Sequence, residues 1–121
     1  MKAILLVSHG SRSPKTKKEI SDLADKLRPS FPGDIVEFAF LEIEGPDTPE
    51  GIDNCVAKGA KLVIITLNFL NAGRHVDEDI PAIVLAARKK HPQIKIVISK
   101  PIGQHARIPD LFKDLINDAI S

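Results

Sequence analysis

The chain is poor in sulphur and in aromatic rings. It has a single cysteine, Cys55, among 121 residues, which excludes an internal disulfide framework and a zinc site built from cysteines. Tryptophan and tyrosine are absent and only five phenylalanines are present, so the chain lacks the aromatic platform on which single-stranded nucleic acids stack. The formal net charge is only +1, and we therefore expect no nucleic-acid partner.

Long apolar runs and nucleotide motifs are also missing. The apolar run at residues 3–7 is shorter than a signal-peptide core or a membrane-spanning helix needs. We therefore expect a cytoplasmic protein with no membrane partner, and the sparing use of cysteine fits that location. Neither a phosphate-binding loop of the G-x-x-x-x-G-K-[ST] type nor a G-x-G-x-x-G fingerprint occurs, so we expect no nucleotide cofactor.

What the sequence does contain is a regular alternation of apolar strands and amphipathic helices. The length of 121 residues predicts a single domain, residues 1–121. Strand–helix alternation predicts an α/β fold with a parallel sheet, helices on both faces and right-handed connections. The expected strand order is 2-1-3-4, with strands at residues 2–8, 34–41, 61–67 and 94–99.

Four helices are predicted between and after these strands. The first starts near Pro14, the second follows Pro49 and ends at Gly59, and the last two span about residues 77–90 and 105–119. Each carries apolar residues at helical spacing, which predicts that this stripe packs inward. The stripes are Ile20, Leu23, Ala24 and Leu27; Ile52, Cys55 and Val56; Ile80, Ile83, Val84 and Ala87; and Ile108, Leu111, Leu115 and Ile116.

Two histidines follow the predicted central strands. His9 comes directly after the first strand, and His75 follows the third strand and its loop. Because the carboxyl ends of parallel strands share one edge of the sheet, where ligands bind, both imidazoles are expected at the same crevice. Imidazole is a common ligand of divalent transition metals and also a proton carrier. The pair predicts a metal site or an acid–base site.

Acidic residues follow the second strand at the same edge. Glu42 and Glu44 precede Pro46, and either carboxylate could complete a metal site or accept a proton. If the strand continued, both side chains would lie on one face, so the spacing does not choose between them. A solvated loop acid is the alternative for each.

Other polar residues give weaker signals. Ser11, Arg12, Ser13 and Lys15 precede or begin the first helix, where they could bind an anion or simply cap the helix. His91 is expected to complement a helix dipole and Cys55 to pack in the core. His105 lies at the same edge as His9 and could contact a substrate.

With these residues considered, the chain resembles the class II chelatases of tetrapyrrole synthesis, most closely the short sirohydrochlorin chelatases of the CbiX/SirB group. The resemblance rests on four segments in order along almost the whole chain, of which G-R-H-V-x-x-D-I-P is the most specific. They are LLVSHGSR at 5–12, FAFLE at 38–42, FLNAGRHVDEDIP at 69–81 and PIGQH at 101–105.

The resemblance implies an enzyme that inserts a divalent metal into sirohydrochlorin without a nucleotide. His9 and His75 match the family's metal-binding histidines, and Glu42 matches the acid that assists them, which decides between Glu42 and Glu44. The metal is a substrate: Co²⁺, or alternatively Ni²⁺ or Fe²⁺. Long members of the family carry two such domains, so this single chelatase-like half-domain is expected to form a homodimer around the tetrapyrrole.

Expected contacts of the ring follow from position along the chain. Apolar side chains near the edge could support the ring face, and Ser11 and several basic residues could bind its carboxylates. The apolar residues are Phe40, Phe69 and Leu70, and the basic ones are Arg12, Lys15, Arg74 and Arg107. Two alternatives remain at this point. The first is a phosphatase with a phosphorylated histidine, because VSHGSRS resembles an R-H-G signature with Ser8 in place of the arginine. The second is a non-enzymatic carrier of metal or tetrapyrrole.

Overall fold

The computed structural model describes all residues from 1 to 121 and shows a four-stranded sheet with four α-helices. Short turns of other helical types precede the last two of these helices: a π-helical turn at His75–Asp79 and a 3₁₀ turn at Ile102–Gln104. The elements in chain order are β1 (Lys2–Ser8), α1 (Pro14–Leu27), β2 (Ile35–Phe40), α2 (Thr48–Ala57), β3 (Leu62–Leu67), α3 (Ile80–Lys90), β4 (Lys95–Ile98) and α4 (Ile108–Ala119).

The strands form one parallel sheet in the order β2-β1-β3-β4, which confirms the predicted topology. The central strand β1 pairs with β2 and β3 along nearly its full length, and six of its seven residues are buried. This explains its continuous apolar sequence, since a strand covered on both faces has no solvent side on which to place polar residues.

Alternation along the strands divides the core into two layers. The main apolar cluster lies on one face, where Leu5 and Ile65 pack with Ile52 of α2 and with Ile80 and Val84 of α3. On the other face, smaller clusters join β1 and β2 to α1. The predicted inward stripes of α1, α2 and α3 are therefore largely correct, although Leu23 is 38% exposed because it lies at the margin of the α1 contact.

The ends of the helices follow local chemistry. Asp47 caps α2, because its carboxylate accepts a hydrogen bond of 2.8 Å from the Glu50 amide. Gly59 follows the last turn of α2 with a φ of +102°, which an L-residue adopts only with strain. The third helix begins later than the predicted residue 77, because the chain first makes the π-helical turn that starts at His75.

The prediction for the last helix is wrong in two respects, its first residue and the side that its apolar stripe faces. α4 starts at Ile108 rather than at residue 105, and none of its residues is buried. Its main contact is with the 3₁₀ turn that precedes it. The apolar stripe predicted to point inward is exposed, with Leu111, Leu115 and Ile116 between 52% and 64% accessible. No helix of the fold combines the length and apolar content that crossing a membrane requires.

Candidate metal site at the edge of the sheet

His9 occupies the first position after β1, at the carboxyl edge of the sheet. Gly10 follows with a φ of +107°, and a Cβ at this position would lie 2.0 Å from the carbonyl oxygen of Glu42. Only glycine fits there, because both the backbone conformation and the close approach exclude a side chain. The turn therefore holds the backbone of His9 directly beside the segment that follows β2.

Glu42 reaches the same edge from β2. The amide of Leu41 donates to the carbonyl of Ser8 at 2.9 Å, and the amide of Glu42 donates to the carbonyl of His9 at 3.1 Å. These bonds extend the pairing of β1 with β2 just past the strand ends. The Glu42 Oε1 atom then lies 2.7 Å from Nε2 of His9.

Glu44 does not join Glu42. The strand ends at Phe40, and Ile43 turns the chain with a φ of +74°, so the two carboxylates do not share a strand face. Instead, Glu44 accepts a hydrogen bond of 2.7 Å from the Ser11 amide. The geometry thus separates two acids that the sequence spacing left equivalent.

His75 starts the π-helical turn before α3, a helix type often found at functional sites. Its Nδ1 atom lies 2.7 Å from Oδ2 of Asp79, four residues further along the turn. A carboxylate that binds one imidazole nitrogen fixes the ring and leaves the other nitrogen available as a ligand. Asp79 therefore orients His75 toward the edge of the sheet.

The two imidazole rings lie in edge-to-face contact, with their centroids 4.6 Å apart and an interplanar angle of 84°. One ligand atom from each of His9, Glu42 and His75 lies within 4.8 Å of the others. An ion about 2.1 Å from each ligand keeps them no more than about 4.2 Å apart. Small side-chain rotations are therefore enough for all three residues to coordinate one ion.

These side chains are open to solvent. The side chains of His9 and Glu42 are 48% and 47% exposed, so an incoming ion and a large planar ligand can both reach them. Two nitrogens and one carboxylate oxygen would leave further coordination positions of a bound divalent ion free.

Two further residues support the site and were not singled out from the sequence. For Asp79, the spacing of four residues from His75 is the sequence signal that could have revealed the pair. Asn68, at the end of β3, donates from Nδ2 to the Ser8 hydroxyl at 3.0 Å. This bond links β1 and β3 just before His9.

The residues predicted to contact a substrate fall into two groups. Phe69, Leu70 and Arg74 line a shallow cavity of about 280 Å³ together with His9 and His75. Ser11 and Arg12 line another cavity of about 690 Å³ beside Lys17, Lys18 and Glu44 at the start of α1. The first group thus lies beside the candidate metal site, and the second faces a different opening.

The structure corrects one of the apolar expectations. Phe40 is fully buried and packs against Leu6 and Ile20, so it cannot support a ring at the edge of the sheet. Its side chain points into the α1 layer because it lies on the same face of the sheet as Leu6.

The remaining candidates lie outside the histidine pair. His105 accepts a hydrogen bond from the Arg107 amide at 3.0 Å and faces α4, and Lys15 is exposed. His91 bonds to Asp53 at 2.8 Å through Nε2. Cys55 packs in the core as predicted, and burial raises the pKa of its thiol to about 11.

Comparison with known proteins gives a consistent result. The sequence model of the CbiX family matches residues 3–119. A sirohydrochlorin cobaltochelatase from Methanococcus maripaludis is 40% identical over 97% of this chain and 99% of its own length. One from Sulfolobus acidocaldarius is 33% identical over the whole chain and 94% of its own length.

Longer relatives match over part of their length. The chain spans only 39% of a sirohydrochlorin cobaltochelatase from Priestia megaterium, to which it is 38% identical. It superimposes with a TM-score of 0.87 on 50% of the sirohydrochlorin chelatase SirB from Bacillus subtilis subspecies spizizenii, solved in complex with cobalt, at 29% identity. Because the family model covers almost every residue and two short relatives align with the chain over nearly their full length, the chain belongs to the CbiX family.

Proposed function

We propose that this chain is a sirohydrochlorin chelatase that inserts a divalent metal ion into the tetrapyrrole without nucleotide hydrolysis, for cobalamin- or sirohaem-type synthesis. The observation that carries the proposal is the convergence of His9, Glu42 and His75, whose ligand atoms lie within 4.8 Å at the exposed edge of the sheet. The short relatives that the chain matches over nearly their full length are cobaltochelatases, which makes Co²⁺ the first candidate, with Fe²⁺ and Ni²⁺ as alternatives.

The mechanism assigns one task to each of these side chains. His9 and His75 bind the incoming metal through neutral imidazole nitrogens, and Asp79 holds the ring of His75. Insertion also removes two protons from pyrrole nitrogens of the ring. Glu42 either completes the metal site or accepts such a proton. Since Nε2 of His9 lies 2.7 Å from Oε1 of Glu42, metal binding replaces that direct contact.

The macrocycle lies over the open edge in this proposal. Phe69 and Leu70 flank the histidines and contact the ring face, and Arg74 binds a peripheral carboxylate. Arg74 is free to do so because its side chain is 83% exposed and its bond to Glu78 is a surface ion pair, worth little in water. Ser11 and Arg12 line the separate opening at the start of α1, where they bind peripheral carboxylates that extend beyond the histidine pair. A second copy of the chain covers the other side of the ring, and a cytoplasmic location stays a prediction.

An anaerobic absorbance time course tests the proposal. Protein, sirohydrochlorin and Co²⁺, Fe²⁺ or Ni²⁺ are mixed, and the insertion rate is compared with the rate without protein. We expect His9→Ala and His75→Ala to lower the protein-dependent rate at least about 10-fold, while the matched control His105→Ala, an exposed histidine outside the site, keeps it. Equal rates for wild type and both site variants would refute the mechanism.

Metal binding and proton transfer are separated by Glu42→Gln and a Co²⁺ titration followed by visible absorbance. If Glu42 is a ligand, Gln weakens Co²⁺ binding, and if it accepts a proton, binding persists while insertion slows. Binding of both metal and ring by wild type without faster insertion would instead favour the carrier alternative.

A further inference from the structure

Buried polar side chains are rare in this chain, and both of them lie near the edge of the sheet that carries the candidate metal site. They are Ser8 and Thr48. The Thr48 hydroxyl donates to the carbonyl of Phe40, the last residue of β2. Ser8 is the last residue of β1, directly before His9. A buried hydroxyl costs free energy unless it is hydrogen-bonded, and an alanine would fill the space of a serine without that cost. The contacts of the Ser8 hydroxyl therefore call for a reason beyond packing.

Ser8 is hydrogen-bonded to the segments that follow both neighbouring strands. Its Oγ atom accepts a hydrogen bond of 3.0 Å from Nδ2 of Asn68, the first residue after β3. Its carbonyl accepts a hydrogen bond of 2.9 Å from the amide of Leu41, the residue before Glu42. The segment that begins at Asn68 leads to His75. The residue before the first proposed ligand is thus bonded to the segments that carry the other two.

The bond between Ser8 and Asn68 is the last hydrogen bond that joins β1 to β3 before the proposed ligands. The register of the two strands ends with Val7 opposite Leu67, which places the next residues, Ser8 and Asn68, opposite each other. The last backbone bond between the two strands runs from the Asn68 amide to the Val7 carbonyl at 2.9 Å. The side-chain bond therefore extends the connection one residue past the backbone ladder.

The loop that follows Asn68 has no other hydrogen bond to β1 or to the turn after it. Residues 70–74 are exposed, and the Phe69 carbonyl accepts its bond from the Gly103 amide, on the side away from β1. The Phe69 ring lies edge-to-face with the ring of His9, with centroids 6.4 Å apart. The start of this loop is therefore fixed relative to His9 by Asn68.

Ser8 acts on a bound ion only through its neighbours. It is 5% exposed, so neither an ion nor a tetrapyrrole reaches its hydroxyl. The ligand atoms of His9, Glu42 and His75 lie within 4.8 Å of one another, close to the separation of about 4.2 Å that a shared ion requires. A site of this kind tolerates displacements of only about 0.5 Å. A hydrogen bond that ties the ligand-bearing segments together is therefore able to set the affinity of the site.

We propose that Ser8 and Asn68 are positioning residues of the metal site, and that their hydrogen bond holds the loop leading to His75 against the strand end that carries His9. The inference rests on the proposed function, because it concerns the same site, and it adds two residues that do not contact the ion. Without the bond, the start of the loop moves away from β1 and the histidines are held less firmly. Metal affinity then falls, although the sheet and the core keep their contacts.

A Co²⁺ titration followed by visible absorbance tests the role of each residue. Ser8→Ala and Asn68→Ala should each raise the dissociation constant for Co²⁺ about 10-fold, as loss of a supporting hydrogen bond does at metal sites. The visible band of bound Co²⁺ should also change, because the ligand geometry is altered. A dissociation constant equal to that of wild type in both variants would overturn the proposal.

Ser99→Ala is the matched control. The Ser99 hydroxyl accepts a hydrogen bond of 3.0 Å from the Leu67 amide, at the end of β3 but on the side of β4. This variant also loses a bond between strand ends, so its urea midpoint should fall, but its Co²⁺ affinity should stay that of wild type. If Ser99→Ala weakens Co²⁺ binding as much as Ser8→Ala does, the effect is a general loosening of the sheet and the positioning role is refuted.

A double-mutant cycle then tests whether the two residues act through one bond. The chain with both Ser8→Ala and Asn68→Ala should bind Co²⁺ about as weakly as either single variant, because each single change already removes the bond. Effects that multiply, to about 100-fold, would mean that the residues act separately, which contradicts the proposal. Wild type that binds no Co²⁺ would refute the metal site itself, whereas wild type that binds and inserts Co²⁺ no better than these variants would refute only their positioning role.

Discussion

Replacing Gly10 with alanine tests whether the turn after β1 builds the candidate metal site. The added Cβ lowers the free energy of unfolding for two separate reasons. The φ of +107° is unfavourable for an L-residue by about 1–2 kcal/mol. In addition, the Cβ would lie 2.0 Å from the Glu42 carbonyl oxygen, which is backbone and cannot turn aside. Such overpacking costs about 1–3 kcal/mol, so we expect a total loss of about 2–5 kcal/mol.

Gly59→Ala is a closely matched control. Gly59 has a φ of +102°, but a Cβ there would have no atom within 4 Å. This variant should therefore lose only the stability that the positive φ costs, about 1–2 kcal/mol. The difference between the two variants isolates the contact with Glu42.

The assay is urea unfolding followed by circular dichroism at 222 nm, because the chain has no tryptophan or tyrosine for intrinsic fluorescence. Co²⁺ binding is measured on the same samples. Gly10→Ala should weaken binding because the backbones of His9 and Glu42 must separate, whereas Gly59→Ala should not. Equal losses of stability in both variants, together with unchanged Co²⁺ binding by Gly10→Ala, would refute this account of the turn.

Three further predictions concern the body of the domain. Thr48→Val should lower the free energy of unfolding by about 1 kcal/mol, because the buried hydroxyl donates to the Phe40 carbonyl at 3.1 Å; an unchanged urea midpoint would contradict this. Hydrogen bonds from Lys90 and His91 lower the pKa of Asp53. The ionised carboxylate therefore stabilises the fold above its unfolded pKa of about 3.9. This contribution is lost as the pH falls through the lower pKa of the folded state. The stability difference between wild type and Asp53→Asn should therefore shrink in acid, and a difference independent of pH would argue against it. Burial raises the pKa of the Cys55 thiol to about 11, so Ellman's reagent at pH 8 should react with it only after urea is added, and rapid reaction of the folded protein would be inconsistent with the packing.

Much of the fold follows from local pattern. The apolar run of β1 predicts a strand buried on both faces, and strand–helix alternation predicts the parallel sheet in the order 2-1-3-4, which the structure confirms. The resemblance to the short chelatases is confirmed by the family match over residues 3–119. Several predicted ends of strands and helices differ from the observed ends by one to three residues. These are places where the side-chain pattern and the backbone hydrogen bonding disagree, as at the π-helical turn that begins with His75.

The sequence predicted where in the fold the candidate site lies better than it predicted how the side chains of the site are arranged. Strand ends that share one edge place His9 and His75 near each other. Residue spacing left Glu42 and Glu44 equivalent and the resemblance chose Glu42, whereas the turn at Ile43, where φ is +74°, is the feature that separates the two carboxylates in space. The prediction for Phe40 was wrong. Its position at the end of β2 suggested a side chain at the edge of the sheet, but Phe40 pairs with Ser8 and its side chain packs in the layer between the sheet and α1.

The sequence by itself determined the strands, the helices and the strand order, because hydrophobic periodicity and short connections leave few alternatives for a chain of 121 residues. The family resemblance had already chosen Glu42 over Glu44. Only the tertiary structure shows how Glu42 reaches His9, which acid orients His75, and which apolar stripe stays uncovered. α4 has the same periodicity as the buried helices, yet all its residues stay accessible. Helical periodicity shows that a helix has an apolar side. Whether another element covers that side depends on contacts between segments that are far apart in the chain, which periodicity does not describe.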